Sequence, residues 1–172
     1  WVYVHPTSFV SRTCPEYVVY HEVVRSTKHA FMHGVTKVSP GWLFDLGDAL
    51  VELGKPVPGV PPRYDAATGT VRCHVRATYG PHRWPLPPQD LEYPAGRERT
   101  RLFAVFLLDG TVLPPLARFA EMLPATPTAL TMAANRPAAA TAFVSTLARA
   151  HVDSRSSLLR AFLADRRFLL AA

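Results

Sequence analysis

Apolar and polar positions alternate most cleanly in Thr70–Tyr79, where Val71, Cys73, Val75, Ala77 and Tyr79 interleave with Thr70, Arg72, His74, Arg76 and Thr78. A period of two predicts a β-strand with one buried face, and it sets Arg72, His74 and Arg76 in a row about 6.6 Å apart on the other. A second strand-forming stretch lies between Pro15 and Pro40: two strands rich in Val, Tyr and Phe, joined through the basic corner Arg25-Ser26-Thr27-Lys28. Tyr17–Val24 carries apolar side chains on both faces, Tyr17, Val19 and Val23 on one and Val18, Tyr20 and Val24 on the other. That pattern suits a barrel strand buried inside and partly covered outside. Trp1–Val10 reads as a first strand interrupted at His5-Pro6-Thr7-Ser8, because Pro6 cannot donate to a ladder and so marks an edge or a bulge.

Helical spacing appears in two places. Ser39-Pro40 is a cap followed by proline at the first helical position, and Trp42, Leu43, Leu46, Ala49, Leu50 and Leu53 then recur every three or four residues up to Gly54. This predicts a core-facing helix inserted between strands, followed by a proline-rich extended connector over 54–64. Gly80–Pro88 makes a tight turn into a Trp84-bearing segment, the start of a fifth strand. From about Arg97 helices take over: Arg99–Asp109 closing at Gly110, a helix from Pro115 with Leu116, Phe119, Ala120 and Leu123 on one face, another from Thr126-Pro127, then Ala138–Ala150 and Ser154–Leu170. The fold class is mainly β plus α, with a strand-rich part over 1–95 and a helical part over 96–172.

Composition narrows the picture. The chain has 172 residues, 48% hydrophobic, and 17 prolines that punctuate without repeating, so a globular fold of many short elements is expected. Its longest apolar run, Leu102–Leu108, falls far short of the roughly 20 residues of a membrane span. No secretory signal pattern opens the chain, and the start at Trp1 in a strand-like WVYV suggests a piece of something longer. Cys14 and Cys73 have no metal spacing; a reduced intracellular compartment is the natural reading, with a single disulfide as the alternative. The net charge of +6 is unevenly spread: residues 1–95 hold nine Lys/Arg against eight Asp/Glu, a net of +1, and 96–172 hold ten against five, a net of +5. The excess is therefore absent from the strand-rich part and scattered among apolar positions in the helical one. A basic solvated surface accounts for it, and charge alone does not make a nucleic-acid binder.

No catalytic constellation emerges. Gly47 and Gly54-Lys55 have the wrong spacing for a phosphate loop, and neither G-x-G-x-x-G nor G-x-S-x-G occurs. His21-Glu22 begins like a zinc-protease motif, but Arg25 stands where the second histidine must be. His29 and His33 on a strand lie about 13 Å apart, too far for one Zn²⁺. Carboxylates are dispersed, with no acid/base pair. What remains is binding chemistry: His5, Thr7 and Ser8 at an interruption suit phosphate or ribose, or equally a turn that satisfies its own backbone. The row Arg72, His74, Arg76 is either a solvated face or a stripe for phosphate or an acidic partner.

Three stretches carry a resemblance. VYVHPTSFV, PEYVVYHEVVRSTKHAFMHGVTKVSPGWL and TYGPHRWPLPP occur in that order, and together they resemble the C-terminal region of DEAH/RHA-type RNA helicases. RLFAVFLLDGTVLPPLARFAEML looks like the helical extension of the ribosome-biogenesis branch, which acts in the small-subunit processome and displaces a snoRNA from pre-ribosomal RNA. The resemblance implies an OB-fold-like five-stranded barrel with an inserted helix, an RNA-contacting domain over 1–95, and a helical extension over 96–172. Such a barrel caps the RNA channel opposite the motor domains and grips single strands. By motif match, His5, Thr7 and Ser8 approach the RNA backbone, while Thr27 and Lys28 offer a hydroxyl and a point charge to phosphate. Phe31 and His33 replace the family's usual aromatic and basic residues, weakening an arginine charge to an imidazole. His33, Arg72 and Arg76 complete the expected RNA-facing set. The stretch holds no cofactor of its own, since ATP, Mg and hydrolysis belong to motor domains of the parent. Expected partners are single-stranded pre-rRNA or snoRNA, the motor domains in cis, and a protein activator or pre-ribosomal factor. No membrane is expected, and the setting implied is the nucleus and nucleolus. The alternative is a protein-docking module that recruits such an activator with little RNA contact of its own.

Overall fold

In the computed structural model, which describes residues 1–169, the chain opens with β1 (Val2–Val4), a 3-10 turn at Phe9–Arg12, β2 (Val18–Val19), β3 (Glu22–Arg25), β4 (Ala30–His33) and β5 (Thr36–Lys37). Then follow α1 (Pro40–Leu46), β6 (Val51–Pro56), β7 (Arg63–Asp65), β8 (Thr70–Tyr79) and β9 (Trp84–Glu92). The helices α2 (Arg97–Leu108), α3 (Ala117–Ala120), α4 (Pro127–Met132), α5 (Ala138–Arg149) and α6 (Arg155–Ala164) close the order. Packing divides the chain into two compact units, Trp1–Gly54 with Arg76–Pro88, and Lys55–Val75 with Gln89 onward. Mixed β and α is therefore correct. The strands form a three-stranded sheet β1-β4-β3, a two-stranded sheet β2-β5, and a four-stranded sheet β6-β8-β7 with β9 also on β8. None of these closes into the expected five-stranded barrel.

In the first unit, β1 runs parallel to β4 with Tyr3 opposite Phe31, and β3 runs antiparallel to β4 with Val24 opposite the same Phe31. Three expectations fail here for local reasons. Trp1–Val10 is not one bulged strand. The Ser8 amide bonds the His5 carbonyl at 2.8 Å and the Thr7 amide bonds His5 Nδ1 at 3.3 Å, so the chain turns away into the 3-10 segment. Tyr17–Val24 is not one strand either: it splits into β2, paired with β5, and β3, paired with β4. Nor is it buried, since Val23 is 39% and Val24 45% exposed. The helix predicted to reach Gly54 stops at Leu46. At Gly47 a side chain would sit 2.4 Å from the Leu43 carbonyl and 2.6 Å from the Tyr79 ring, so the chain tightens there. Val51 onward is then taken by pairing with β8, sheet contacts overriding helical spacing. Trp42 and Leu46 stay exposed, against the core-facing expectation.

The second unit holds the better core. Thr70–Tyr79 forms as read, and Val71, Cys73 and Val75 are buried on its apolar face. They join Phe103, Ala104 and Leu107 of α2, Val144 and Leu147 of α5, Val152, and Leu158 of α6. The i, i+1, i+4 spacing on α2 makes Phe103, fully buried, the centre of the cluster. Gly110 (φ +82°) allows the close turn after α2, where a side chain would meet Ala117 at 2.4 Å. Arg99 fastens the elements with its guanidinium, bonding Asp153 and Glu92 together with the Tyr93 carbonyl at 3.2 Å. α6 starts on a capping box at Ser154 and Ser157, and the Arg155 amide bonds the Gly69 carbonyl at 2.8 Å, tying the helix to the β7–β8 turn. The helix predicted from Pro115 is shorter, a 3-10 turn leading into α3, and that predicted over Ser154–Leu170 ends at Ala164; its last residue, Leu170, lies outside the described residues.

Tyr93 is 7% exposed, and burial, reinforced by the Glu98 carboxylate, pushes its phenol up to about 12. A raised acid binds its proton longer in the folded state. The associated stability is therefore complete below the unfolded value near 10 and is lost as pH rises through about 12. Tyr93→Phe should flatten the alkaline limb of a stability–pH curve between those values, by an amount on the order of 2 kcal/mol, in urea melts at stepped pH. An unchanged limb would mean the phenol titrates like a free one.

Candidate nucleic-acid interface

The β3–β4 hairpin is closed by the Ser26 amide donating to the His29 carbonyl at 2.7 Å, above the Arg25–Ala30 pair. Thr27 and Lys28 are thus the two central residues of the turn. They project at its tip, exposed, because a two-residue connection leaves its side chains nowhere to pack. Trp1, Tyr3, Arg25, Ser26, Thr27, Lys28, His29 and Ala30 line an open concavity of about 400 Å³ at this end of the sheet. Arg25 and Lys28 supply its positive charge.

From the tip a stripe of rings runs down one face. Register puts Tyr3, Phe31 and Val24 side by side, and His33 beside Glu22. Ring centroids lie 5.3 Å apart for Tyr3–His29, 6.0 Å for His29–Phe31, 5.2 Å for His5–Phe31 and 5.1 Å for His5–His33. The first three pairs meet edge to face, a favourable geometry for aromatic quadrupoles. His5 and His33, expected as separate contacts, are therefore brought together. The hydroxyl of Thr7 is held by His5 Nδ1 at 2.7 Å. Since the Thr7 amide donates to that same nitrogen, the neutral imidazole presents its N–H at Nε2. Ser8 is half-buried, and its carbonyl accepts from the Ser11 hydroxyl at 2.7 Å, so this residue serves the turn.

The β8 stripe divides. Arg76 is exposed and belongs to the first unit, whereas Arg72 belongs to the second and is only 23% exposed there. Its guanidinium donates to Asp90 Oδ2 at 3.2 Å and to the Asp90 carbonyl at 2.6 Å, while Arg63 meets the same carboxylate at 2.6 Å. Burial would raise the Asp90 carboxyl, but these arginine hydrogen bonds outweigh it and hold the group below the usual carboxylate range. Arg72 is thus engaged within its own unit. Tyr3 was not singled out in the sequence, His29 was weighed only as a metal ligand and Phe31 only as the family's aromatic position, although His29-Phe31-His33 alternating with Ala30 and Met32 is a period-two signal. Parallel pairing with β1, which cannot be read from spacing, is what completes the stripe. Among the described residues no group of three His, Cys, Asp or Glu is placed to hold a metal ion, and no helix is long and apolar enough to cross a membrane.

Sequence comparison first gives the class. Residues 1–50 match the family described as the oligonucleotide/oligosaccharide-binding (OB)-fold. The relatives then give the group. Over 171 residues, 99% of the chain, it is 33% identical to human DHX37, named as a probable ATP-dependent RNA helicase. It is 30% identical over 98% of its length to the Drosophila melanogaster protein kurz, named likewise, and 33% identical over 75% to the ATP-dependent RNA helicase DEAH13 of Arabidopsis thaliana. The chain spans 15%, 14% and 10% of those proteins respectively. These matches bear out the resemblance drawn from the motifs: the chain corresponds to a C-terminal OB-fold region of a DEAH-box RNA helicase.

Removing the two differently buried arginines should separate structure from binding. Arg72→Gln is expected to cost roughly 1–3 kcal/mol of stability, as the loss of charge-assisted bonds from a partly buried partner does. Arg63→Ala, at a pair whose arginine is 54% exposed, should cost under about 1 kcal/mol. Affinity for single-stranded RNA should change less than about twofold for Arg72→Gln; a large loss in a gel-shift titration would return Arg72 to the RNA-facing set.

Proposed function

We infer that this region is an accessory module of an ATP-dependent DEAH-box RNA helicase that contacts single-stranded RNA through the β3–β4 tip. The observation that carries the reading is the exposed turn Thr27-Lys28, set with Arg25 on an open concavity at the end of a ring-bearing sheet. A lysine at a turn tip reaches a phosphate without being desolvated, so its gain is electrostatic and independent of base identity. Thr27 adds a hydroxyl donor, whereas the Thr7 hydroxyl proton is directed to His5 Nδ1, which leaves Thr7 only acceptor lone pairs to offer. The OB-fold match over 1–50 supports the assignment, with a closed barrel as the form expected for this domain alongside the rest of the parent. ATP, Mg and the hydrolytic residues would reside in motor domains elsewhere in that parent. The exposed apolar residues Val19, Tyr20, Val23 and Trp42 would give those domains apolar side chains to pack on. On this reading the parent would be of the ribosome-biogenesis branch and would work in the nucleolus, on pre-rRNA and a paired snoRNA in small-subunit maturation.

The test is titration of the full chain with labelled single-stranded RNA at stepped salt. A few phosphate contacts give a shallow line of log K against log salt, each contributing about 0.7 to its slope. Lys28→Ala should lower the slope by about one such contact, with an unchanged thermal melt. No binding at the lowest salt, or a slope indifferent to Lys28, would end the RNA reading of this corner.

A second reading, protein docking, is favoured by one feature of the second unit. Leu107, Leu113, Leu116, Phe119, Phe143 and Phe162 help line an open apolar cavity of about 330 Å³. It lies in the part of the sequence with the net charge of +5, which suits an activator or pre-ribosomal protein presenting an apolar, acidic segment. Phe119, 45% exposed, can be changed to Asp without emptying the core. Phe119→Asp should then weaken binding of a purified activator at least tenfold by calorimetry, and an unchanged affinity would remove this reading.

A further inference from the structure

We propose that an aromatic groove in the first unit, between segment 16–20 and the ends of β8 and β9, docks a proline-rich segment of a separate protein, held as an extended polyproline helix with a basic residue at one end. The inference stands apart from the RNA reading, since it concerns another surface and another class of ligand. All the residues that form the groove belong to the first unit. Tyr79 closes β8 and Trp84 opens β9. The Tyr17 hydroxyl donates to the Pro85 carbonyl at 3.1 Å and ties the chain ahead of β2 to the same place. These residues, with Leu86 among others, line an open concavity of about 480 Å³. It runs from Leu86, 6% exposed, to Trp84, 59% exposed. A cavity belonging to the unit's own core would enclose that indole.

The lining chooses the occupant. None of the residues that form the groove is Lys or Arg, and the exposed Glu16 carboxylate stands at its rim, so a phosphate chain finds no cation there and one repelling charge. The Tyr20 and Tyr79 hydroxyls and the Trp84 indole N–H have no hydrogen-bond partner among the described residues. The groove therefore presents aromatic walls carrying free donors. A proline-rich strand is the complement of such a surface. It lacks N–H groups at its prolines, keeps every carbonyl as an acceptor and makes no internal hydrogen bonds. Its φ angles are already fixed, so little conformational entropy is lost on docking, and its rings lie on aromatic side chains. A peptide added as a β-strand needs a ladder, and β2 is only two residues long. Glu16 suits a flanking arginine or lysine. Val19 and Tyr20, at the edge of the groove, are also among the residues offered above to the motor domains, so a motor domain seated there is the competing occupant.

Calorimetric titration tests this. The full chain is titrated with a synthetic peptide of about nine residues, roughly three turns of polyproline helix, carrying Pro-x-x-Pro repeats and a terminal arginine. A counterpart has its prolines replaced by alanines. Docking predicts saturable binding of the first and at least about tenfold weaker binding of the second. Tyr79→Phe keeps the ring and removes one donor, and should weaken the proline peptide about 2- to 12-fold with an unchanged melt. Trp84→Ala should weaken it at least about fivefold, and neither variant should move the affinity for RNA. Replacing the peptide's arginine by glutamine should cost about 1.5- to 5-fold, a difference that Glu16→Gln should abolish. No binding of either peptide, equal binding of both, or an affinity indifferent to Tyr79 and Trp84 overturns the proposal. The same titration on the full-length parent decides between occupants. Retained binding supports a groove for a separate protein, whereas binding seen only with this region alone assigns the groove to a motor domain and overturns the proposal.

Discussion

Parallel pairing of β1 against β4 is the constraint on which the candidate surface depends. It sets Tyr3 beside Phe31 and so carries His5 up to His33 and Tyr3 up to His29. Side chains alternate along a strand, so a slip of one residue in this register would send Tyr3 and His5 to the opposite face and bring Val2 and Val4 onto this one. The stripe would then be lost without any residue being changed. The neighbouring hairpin fixes β4 from its other edge, through the Ser26–His29 bond and the Glu22–His33 to Arg25–Ala30 ladder. β4 is thus held along both edges, and so are the ring-bearing positions it carries.

The two units solve the burial problem differently. In the second, Phe103, Leu147, Val152, Leu158 and Val71 are almost fully enclosed, and Arg99 joins strand and helix segments through buried charge-assisted bonds. In the first, strand residues such as Val23, Val24 and Tyr20 remain open. Ordinary monomers seldom leave apolar side chains contiguous and wet over large areas. On the reading proposed above, apolar surface of this kind is what packing against neighbouring domains of the parent would consume.

Legibility in the sequence followed the range of the interactions involved. Thr70–Tyr79 was readable because alternation is a property of the strand alone, and the capping starts at Thr126-Pro127 and Ser154 were readable for the same reason. Trp42 to Leu53 misled because its helical spacing was genuine, yet Val51 onward found pairing with β8, a partner distant in sequence. His5-Pro6-Thr7-Ser8 was identified as an interruption, but its outcome as a turn depended on where the Thr7 and Ser8 amides found acceptors. At the site, the motif match pointed to Thr27 and Lys28, which the hairpin tip displays. The rings of Tyr3, His29 and Phe31 went unread because their meeting needs a parallel strand pair, about which local pattern is silent.

Magnitudes bear on what such a module contributes to a helicase. With a net charge of +1 over residues 1–95, its electrostatic hold on RNA is limited to the few cations at the tip, and at physiological salt a few phosphate contacts give only weak binding. On the proposed reading, weak phosphate contacts that break easily suit a strand that must advance. A tight, base-specific site in the same place would arrest it. The small net charge over residues 1–95, which by itself does not make a nucleic-acid binder, is on that reading compatible with a domain that steadies a moving single strand.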